Sequence, residues 1–372
     1  MRRFILPAAF AAIVFCMLAA MLLRAPAEFT KTLLLDLGRP PEFARDLDNY
    51  CKNYLPFRQQ LRDLSLTVRT AAGMRELNGM YLTNDRLISH FIPSSDGMIL
   101  KDNTKAVKEF AKHNTAATAL MLLPTASAIC QEELPPYAAE IQANQHGYIE
   151  RAAKALSGVA ASVDVYPTLF AAREEYLYYR TDNDLTAHGG YLVYTVLARR
   201  LGFSPTPKES FRQQFLEQPY YGDLYRAHGY GGVRGDTIAV YRPESSPTVT
   251  VEHWLRFQQK SYSTLFPVQA TASGNPRDII MGGHSPKITV TNLSLPSGPT
   301  LLILGDRNTL SYLPFLTSHY RSITFADPDL LTDSELQAIQ PDDYSQLLFS
   351  FSLESFVNTR QPARAAKAGT VQ

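Results

Sequence analysis

Residues 301–308 read Leu-Leu-Ile-Leu-Gly-Asp-Arg-Asn, and this stretch decides the fold class. Four consecutive aliphatic residues lack the in-and-out alternation of a half-solvated strand, so the run reads as a strand covered on both faces. Gly305 ends it, and Asp306-Arg307-Asn308 set charge directly at its carboxyl end. Functional groups collect at that end in open α/β sheets.

The same pattern recurs on either side. Residues 116–123 (AATALMLL) form a buried-strand run closed by Pro124-Thr125, and residues 160–166, 323–326 and 347–351 are further strand candidates. Helical periodicity lies between them, over 103–114, about 137–156, 310–320, and from Thr186 to Leu201, where Gly202 stops it. Alternating strand and helix predict an α/β fold with three layers, flavodoxin-like, around a mostly parallel sheet. Residues 205–297 break the rhythm. They are rich in Pro, Gly, Ser and Thr, with short alternating stretches at 248–252 and 287–291, and read as a β-rich insertion of loops and hairpins. Upstream, Phe43, Leu47, Tyr50, Leu61, Leu64 and Val68 recur at helical steps, and Pro56 predicts a break between two helices. Residues 78–100 read as short strands with turns at Asn84-Asp85 and Asp96-Gly97. The expected organisation is therefore 1–27 as membrane anchor or signal segment, 28–102 as N-terminal helices and short strands, 103–358 as the α/β domain, and 359–372 as a flexible tail. No internal repeat is visible.

Residues 4–23 are 20 consecutive uncharged, mostly apolar residues. A helix of that length spans roughly 30 Å, the thickness of a bilayer core. Arg2 and Arg3 precede it and favour a cytoplasmic N-terminus, so the rest of the chain is expected outside the cytoplasm, held at the cell membrane by a single pass. Ala25-Pro26-Ala27 offers the competing reading of a cleaved signal peptide, although the run exceeds the usual ~7–15-residue apolar core.

Hydrophobic residues make up 45% of the 372, enough for a large core, which excludes a disordered chain. The 36 Lys and Arg against 35 Asp and Glu leave a net charge of +1, so the chain lacks the basic excess of a nucleic-acid binder. Cys16 lies in the apolar run, and Cys51 and Cys130 are either bridged or two separate thiols. No CxxC, no His-spaced pair and no P-loop is present, so neither a metal nor a cofactor is expected.

Polar residues cluster in three places: 179–184, 282–285 and 305–308. With these in view, the chain resembles the DHHW family of extracytoplasmic proteins, relatives of the SGNH-hydrolase-like alginate O-acetylation proteins. The resemblance runs from about residue 40 to 332. It includes Leu55-Pro56-Phe57-Arg58, Asn78-Gly79-Met80-Tyr81-Leu82, Leu123-Pro124-Thr125, Tyr178-Tyr179-Arg180-Thr181-Asp182, Gly189-Gly190-Tyr191, Tyr221-Gly222-Asp223-Leu224-Tyr225, Gly282-Gly283, and Pro314-Phe315-Leu316 ahead of Asp327-Pro328. It implies an SGNH-hydrolase-like core and a Ser–His–Asp site for ester hydrolysis or acyl transfer on cell-envelope polysaccharide.

The chain departs from that pattern at the decisive places. Thr181-Asp182-Asn183-Asp184 stands where the family has Thr-Asp-His-His, so the base position is Asp184. Asp306-Arg307 stands where it has Asp-Ser, and Gly282-Gly283-His284-Ser285 where it has Gly-Gly-Asn-His. Of the expected triad only Asp182 is retained. Arginine offers donors only and cannot act as an acyl-accepting nucleophile, while an ordinary carboxylate is a feeble base for a hydroxyl. The expectation is a catalytically degenerate protein, a pseudoenzyme, that binds or assembles with glycan or protein partners. The alternative is an active O-acetyltransferase or esterase in which His188, four residues after Asp184, serves as base with Ser285 or Ser311 as nucleophile. The plainer view of 181–188 is a capping turn made by Thr181 or Asp182. A plain structural scaffold for a membrane complex is the third reading. A metal set of Asp182, Asp184, His188 and His284 is conceivable, but no spacing demands it. Arg307 either fills the old cleft in a salt-bridge network with Asp182, Asp184 and Asp306, or joins His284 in holding an anionic sugar. Arg180, His188, Gly283, His284 and Asp306 complete the candidate binding set with Arg307. Tyr176, Tyr178 and Tyr179 read as packing, and Tyr220-Tyr221-Gly222-Asp223 as part of a flexible aromatic loop over the cleft.

Overall fold

The computed structural model describes residues 54–228, 232–255 and 258–369, with scattered positions between 10 and 49. Two units are distinguished, 1–74 with 229–232, and 75–228 with 233–372. In the first, helix α1 (Arg58–Ala71) begins directly after Pro56-Phe57, where the break was expected. The helix expected upstream of it falls outside the described residues. The apolar run 4–23 is described only at scattered positions, and among the described residues no helix is long and apolar enough to cross a membrane.

In the second unit the strands are β1 (Glu76–Leu77), β2 (Met80–Leu82), β3 (Leu87–Ser89), β4 (Ala117–Leu123), β5 (Ala161–Val163), β6 (Phe211–Tyr220), β7 (Asp236–Pro243), β8 (Val249–Leu255), β9 (Gln258–Tyr262), β10 (Lys287–Asn292), β11 (Thr300–Gly305), β12 (Ser322–Ala326) and β13 (Gln346–Ser352). The main sheet runs β5-β4-β13-β11-β12-β10-β8-β9. From β5 to β12 every pairing is parallel, and β10, β8 and β9 are added antiparallel. The long helices are α2 (Met98–His113), α3 (Gln145–Leu156) and α4 (Ala187–Arg200).

The unalternated runs explain the layering. Successive strand residues face opposite sides, so a strand hydrophobic at every position needs cover on both. Ala119, Met121, Leu301, Ile303 and Leu348 pack with Tyr194 and Leu197 of α4 on one face. Leu120, Leu122, Leu302, Leu304 and Phe349 pack with Val107 and Phe110 of α2 and with Ile149 and Leu156 of α3 on the other.

Four expectations are corrected. Residues 248–252 and 287–291 are not insertion hairpins: β8 and β10 extend the main sheet, each burying alternate residues against it. Only β6 and β7 form a separate ribbon. The helix expected over 310–320 is a 3₁₀ turn (Arg307–Ser311) and one short helix (Leu313–Leu316) with Pro314 in its first turn. The strands β1–β3, grouped with the N-terminal helices from sequence, belong to the unit of the sheet. The tail from 359 is not frayed over its described part, because Ala365 and Ala368 are buried against the core and the Asn103 side chain donates to the Thr359 carbonyl and accepts from the Ala363 amide. Cys130 is a buried free thiol beside Arg86, and Cys51 lies outside the described residues.

Candidate functional site

The parallel strands β4, β11 and β13 end side by side, and their exits deliver the polar groups. Thr125 follows β4, Asp306 and Arg307 follow β11, and Ser352 closes β13; all line one cavity of about 210 Å³ with Asp184. Asp182 and Asp184 come from the turn before α4. That turn is held from below by Asp236, a buried carboxylate on β7 that accepts from the Arg180 amide at 2.7 Å, the Thr181 amide at 3.0 Å, and the Thr181 and Tyr176 hydroxyls. Thr186 caps α4, its hydroxyl accepting from the Gly189 amide at 3.2 Å. The cap expected from Thr181 or Asp182 is therefore made by Thr186, and Asp182 is left free for the site.

Asp182 and Asp184 are 1% and 2% exposed. Two guanidinium groups meet them. Arg307 Nε lies 2.8 Å from Asp184 Oδ2, its Nη2 3.2 Å from Asp182 Oδ1, and its Nη1 2.6 Å from Asp223 Oδ2. Arg277 Nη1 donates to Asp184 and lies 3.7 Å from Asp182 Oδ2, with its guanidinium 5.7 Å from the Tyr179 ring centroid. Tyr220 donates its hydroxyl to Asp182, and Arg226 pairs with Asp223 at 2.5 Å. Three carboxylates thus face three guanidiniums.

Electrostatics distinguish the two aspartates. Burial pushes the Asp184 carboxyl up, but the Arg277 and Arg307 charges outweigh it and hold it below the usual range. For Asp182, burial and the neighbouring Asp184 charge together exceed the two arginines, and its carboxyl is raised. Asp306 takes no part in the network. Its oxygens accept from the Ser352 amide at 2.6 Å and the Asn308 amide at 3.1 Å, and burial pushes its carboxyl up to about 6. The expected partnership of Arg307 with Asp182 and Asp184 is present, and Asp223 takes the place expected of Asp306.

The remaining sequence candidates separate. His284 lines a cavity of about 100 Å³ with Arg226, Arg277, Arg307 and Gly283, but its Nε2 is paired with Asp327 Oδ2 at 2.9 Å. Gly283 is at φ +95°, and a Cβ there would stand 2.9 Å from Asp278 Oδ1. His188 and Arg180 line a different cavity, with Arg234. His188 pairs with Glu175, and Arg180 with Asp85 at 2.6 Å. Ser311 donates to the Asn308 carbonyl at 2.7 Å, and Ser285 pairs at 2.9 Å with the buried His253. Neither serine meets His188, so the geometry does not assemble the relocated triad. The aromatic loop is no loose cover at its start: Tyr220 is buried, and the Gly222 amide donates to the Thr181 hydroxyl at 2.9 Å. Sequence reasoning passed over Arg277 and Asp236. Arg277 sits in a 3₁₀ turn inside a Pro- and Gly-rich stretch, and nothing in its neighbourhood marks it out.

Residues 99–270 match the family model described as SGNH hydrolase-like domain, acetyltransferase AlgX. A DHHW family protein from Eubacterium siraeum DSM 15702 is similar in structure over 77% of this chain and 97% of its own, with 20% identity and a TM-score of 0.62. PatB1 from Bacillus cereus, in a structure with a sulfonyl adduct, is similar over 77% of this chain and 98% of its own, with 14% identity and a TM-score of 0.61. No curated protein matches in sequence. At these identities the solved structures show a shared fold. Family match and fold together bear out the resemblance carried by the sequence motifs: the chain is similar to DHHW-type, SGNH-hydrolase-like proteins related to the alginate O-acetylation proteins, with residues 99–270 matching the AlgX domain.

Proposed function

We propose that this protein is a catalytically degenerate SGNH-hydrolase-like component, anchored in the cell membrane through residues 4–23, whose extracytoplasmic domain binds or assembles with cell-envelope polysaccharide rather than esterifying it. One observation carries the reading. At the position where the resembling family has serine, all three guanidinium nitrogens of Arg307 are engaged by Asp184, Asp182 and Asp223. Acyl transfer needs a hydroxyl or thiol there and a neutral base beside it. Asp184, at the base position, is held ionised between two arginines, so it has little affinity for a proton. Loss of nucleophile or base in a comparable triad costs about 10⁶ in kcat. The polysaccharide link rests on the AlgX family model, and the anchor on the apolar length of 4–23 with Arg2 and Arg3 before it.

The test is acetyl-ester hydrolysis by the full chain beside Asp182→Ala and Asp184→His/Arg307→Ser. Arg277 would face the new imidazole and disfavour its protonated form, so the same double variant with Arg277→Gln runs alongside. Wild type equal to Asp182→Ala, with turnover only in a restored variant, supports the reading. Wild-type turnover that Asp182→Ala abolishes overturns it. The anchor is tested separately by alkaline extraction of membranes: release of the intact chain refutes it.

A further inference from the structure

A groove between α2 and α3 shares no lining residue with the cavities around Arg307, and it has a volume of about 630 Å³. That lies within the ~300–1,000 Å³ range of ligand sites. Lys101, Lys105 and Lys108 line it from one face of α2, at the i, i+4, i+7 spacing that stacks side chains along a helix. Arg151 lines it from α3, with its guanidinium 4.0 Å from the Tyr148 ring centroid. Like charges at these spacings destabilise a helix unless something compensates. Among the described residues none of these four cations forms an ion pair, and the compensation present is the longer-range attraction between Lys105 and Glu109. One acid, Asp96, lines the groove beside the cations, and the acids around the row have other partners. Asp102 pairs with Arg360, Glu109 with Lys112, and Asp96 accepts from the Met98 amide and the Ser94 hydroxyl at the start of α2.

We propose that this groove binds an anionic sugar chain. The lysine row spans about 10 Å along the helix axis, which suits a polymer with a charge on each unit, and Tyr148, with Arg151 over its ring, adds an aromatic wall beside the charges. The concave shape favours a single chain over a flat lipid surface. The site stands independently of the fate of ester chemistry at Asp182 and Arg307.

The experiment is calorimetric titration of the full chain with hexagalacturonate, with maltohexaose as the neutral control. The expected result is binding to hexagalacturonate alone, weakened at least about tenfold by Lys105→Glu/Lys108→Glu and by raising NaCl from about 50 to 200 mM. Tyr148→Leu should weaken hexagalacturonate binding while leaving the salt dependence unchanged, and Lys208→Ala, at an exposed lysine outside the groove, should leave it as in wild type. No binding, equal binding of maltohexaose, or binding that the lysine reversals do not affect would overturn the proposal. So would binding of dihexanoyl phosphatidylglycerol but not hexagalacturonate at the same lysines, which would assign the groove to a lipid headgroup.

Discussion

Replacing Arg307 by alanine removes three charge-assisted contacts at once and leaves Asp184, Asp182 and Asp223 to share Arg277 and Arg226. Breaking a buried pair by deleting one partner costs about 3–5 kcal/mol, because a desolvated charge is stranded. The Arg307 side chain is 33% exposed, and Arg277 remains on Asp184, so the expected loss is smaller, about 2–3 kcal/mol at pH 7. The sign with pH follows from Asp184. Its folded pKa is held low, so its contribution is present above the unfolded carboxylate value and lost as pH falls through the folded one. Removing Arg307 raises that carboxyl towards its unfolded value and also raises Asp182. The deficit of Arg307→Ala should therefore shrink as pH drops from 7 towards 4, where protonation relieves the stranded charges. Urea unfolding of both proteins across this range measures it. A deficit under about 0.5 kcal/mol at pH 7, or one independent of pH, refutes the claim that Arg307 compensates the charges of these carboxylates.

Two further predictions concern the surroundings of that network. Asp306 has the opposite sign: its carboxyl is raised to about 6, so its contribution is full below the unfolded value and is lost as pH rises through 6. Asp306→Asn should gain about 2 kcal/mol relative to wild type between pH 4 and 7, reduced from the full shift by partial exposure, and a flat difference would contradict the assignment. At Gly222 a Cβ would stand 2.4 Å from Asp182 Cβ and 2.6 Å from the Thr181 carbonyl oxygen. Gly222→Ala should push the 220–226 segment off the aspartate turn and lower stability by about 1–3 kcal/mol, with Tyr220 becoming accessible to nitration; an unchanged melting temperature and an unmodified Tyr220 would show that the approach is not tight.

The parallel sheet is legible in the sequence, because a strand buried on both faces needs a run without alternation, and residues 117–123, 300–305 and 346–352 carry one. The sequence also led to the expectation of a degenerate site, since Asp184 and Arg307 occupy motif positions whose side chains can be judged on capability alone. What it left open was the partnership of charges. Arg277 meets Asp184 across 93 residues, and Arg307 meets Asp182 across 125, distances over which no periodicity speaks. His188 lay within reach of Asp184 by helical spacing, yet it points to Glu175, and Asp306 turned to the Ser352 amide instead of to Arg307. Even the edge of the sheet was decided late. The stretches 248–252 and 287–291 alternate as any hairpin would, and only their register against β12 and each other made them part of the core. Local hydrophobic pattern settles which segments are buried; which buried charge faces which is settled by the packing that brings distant segments together.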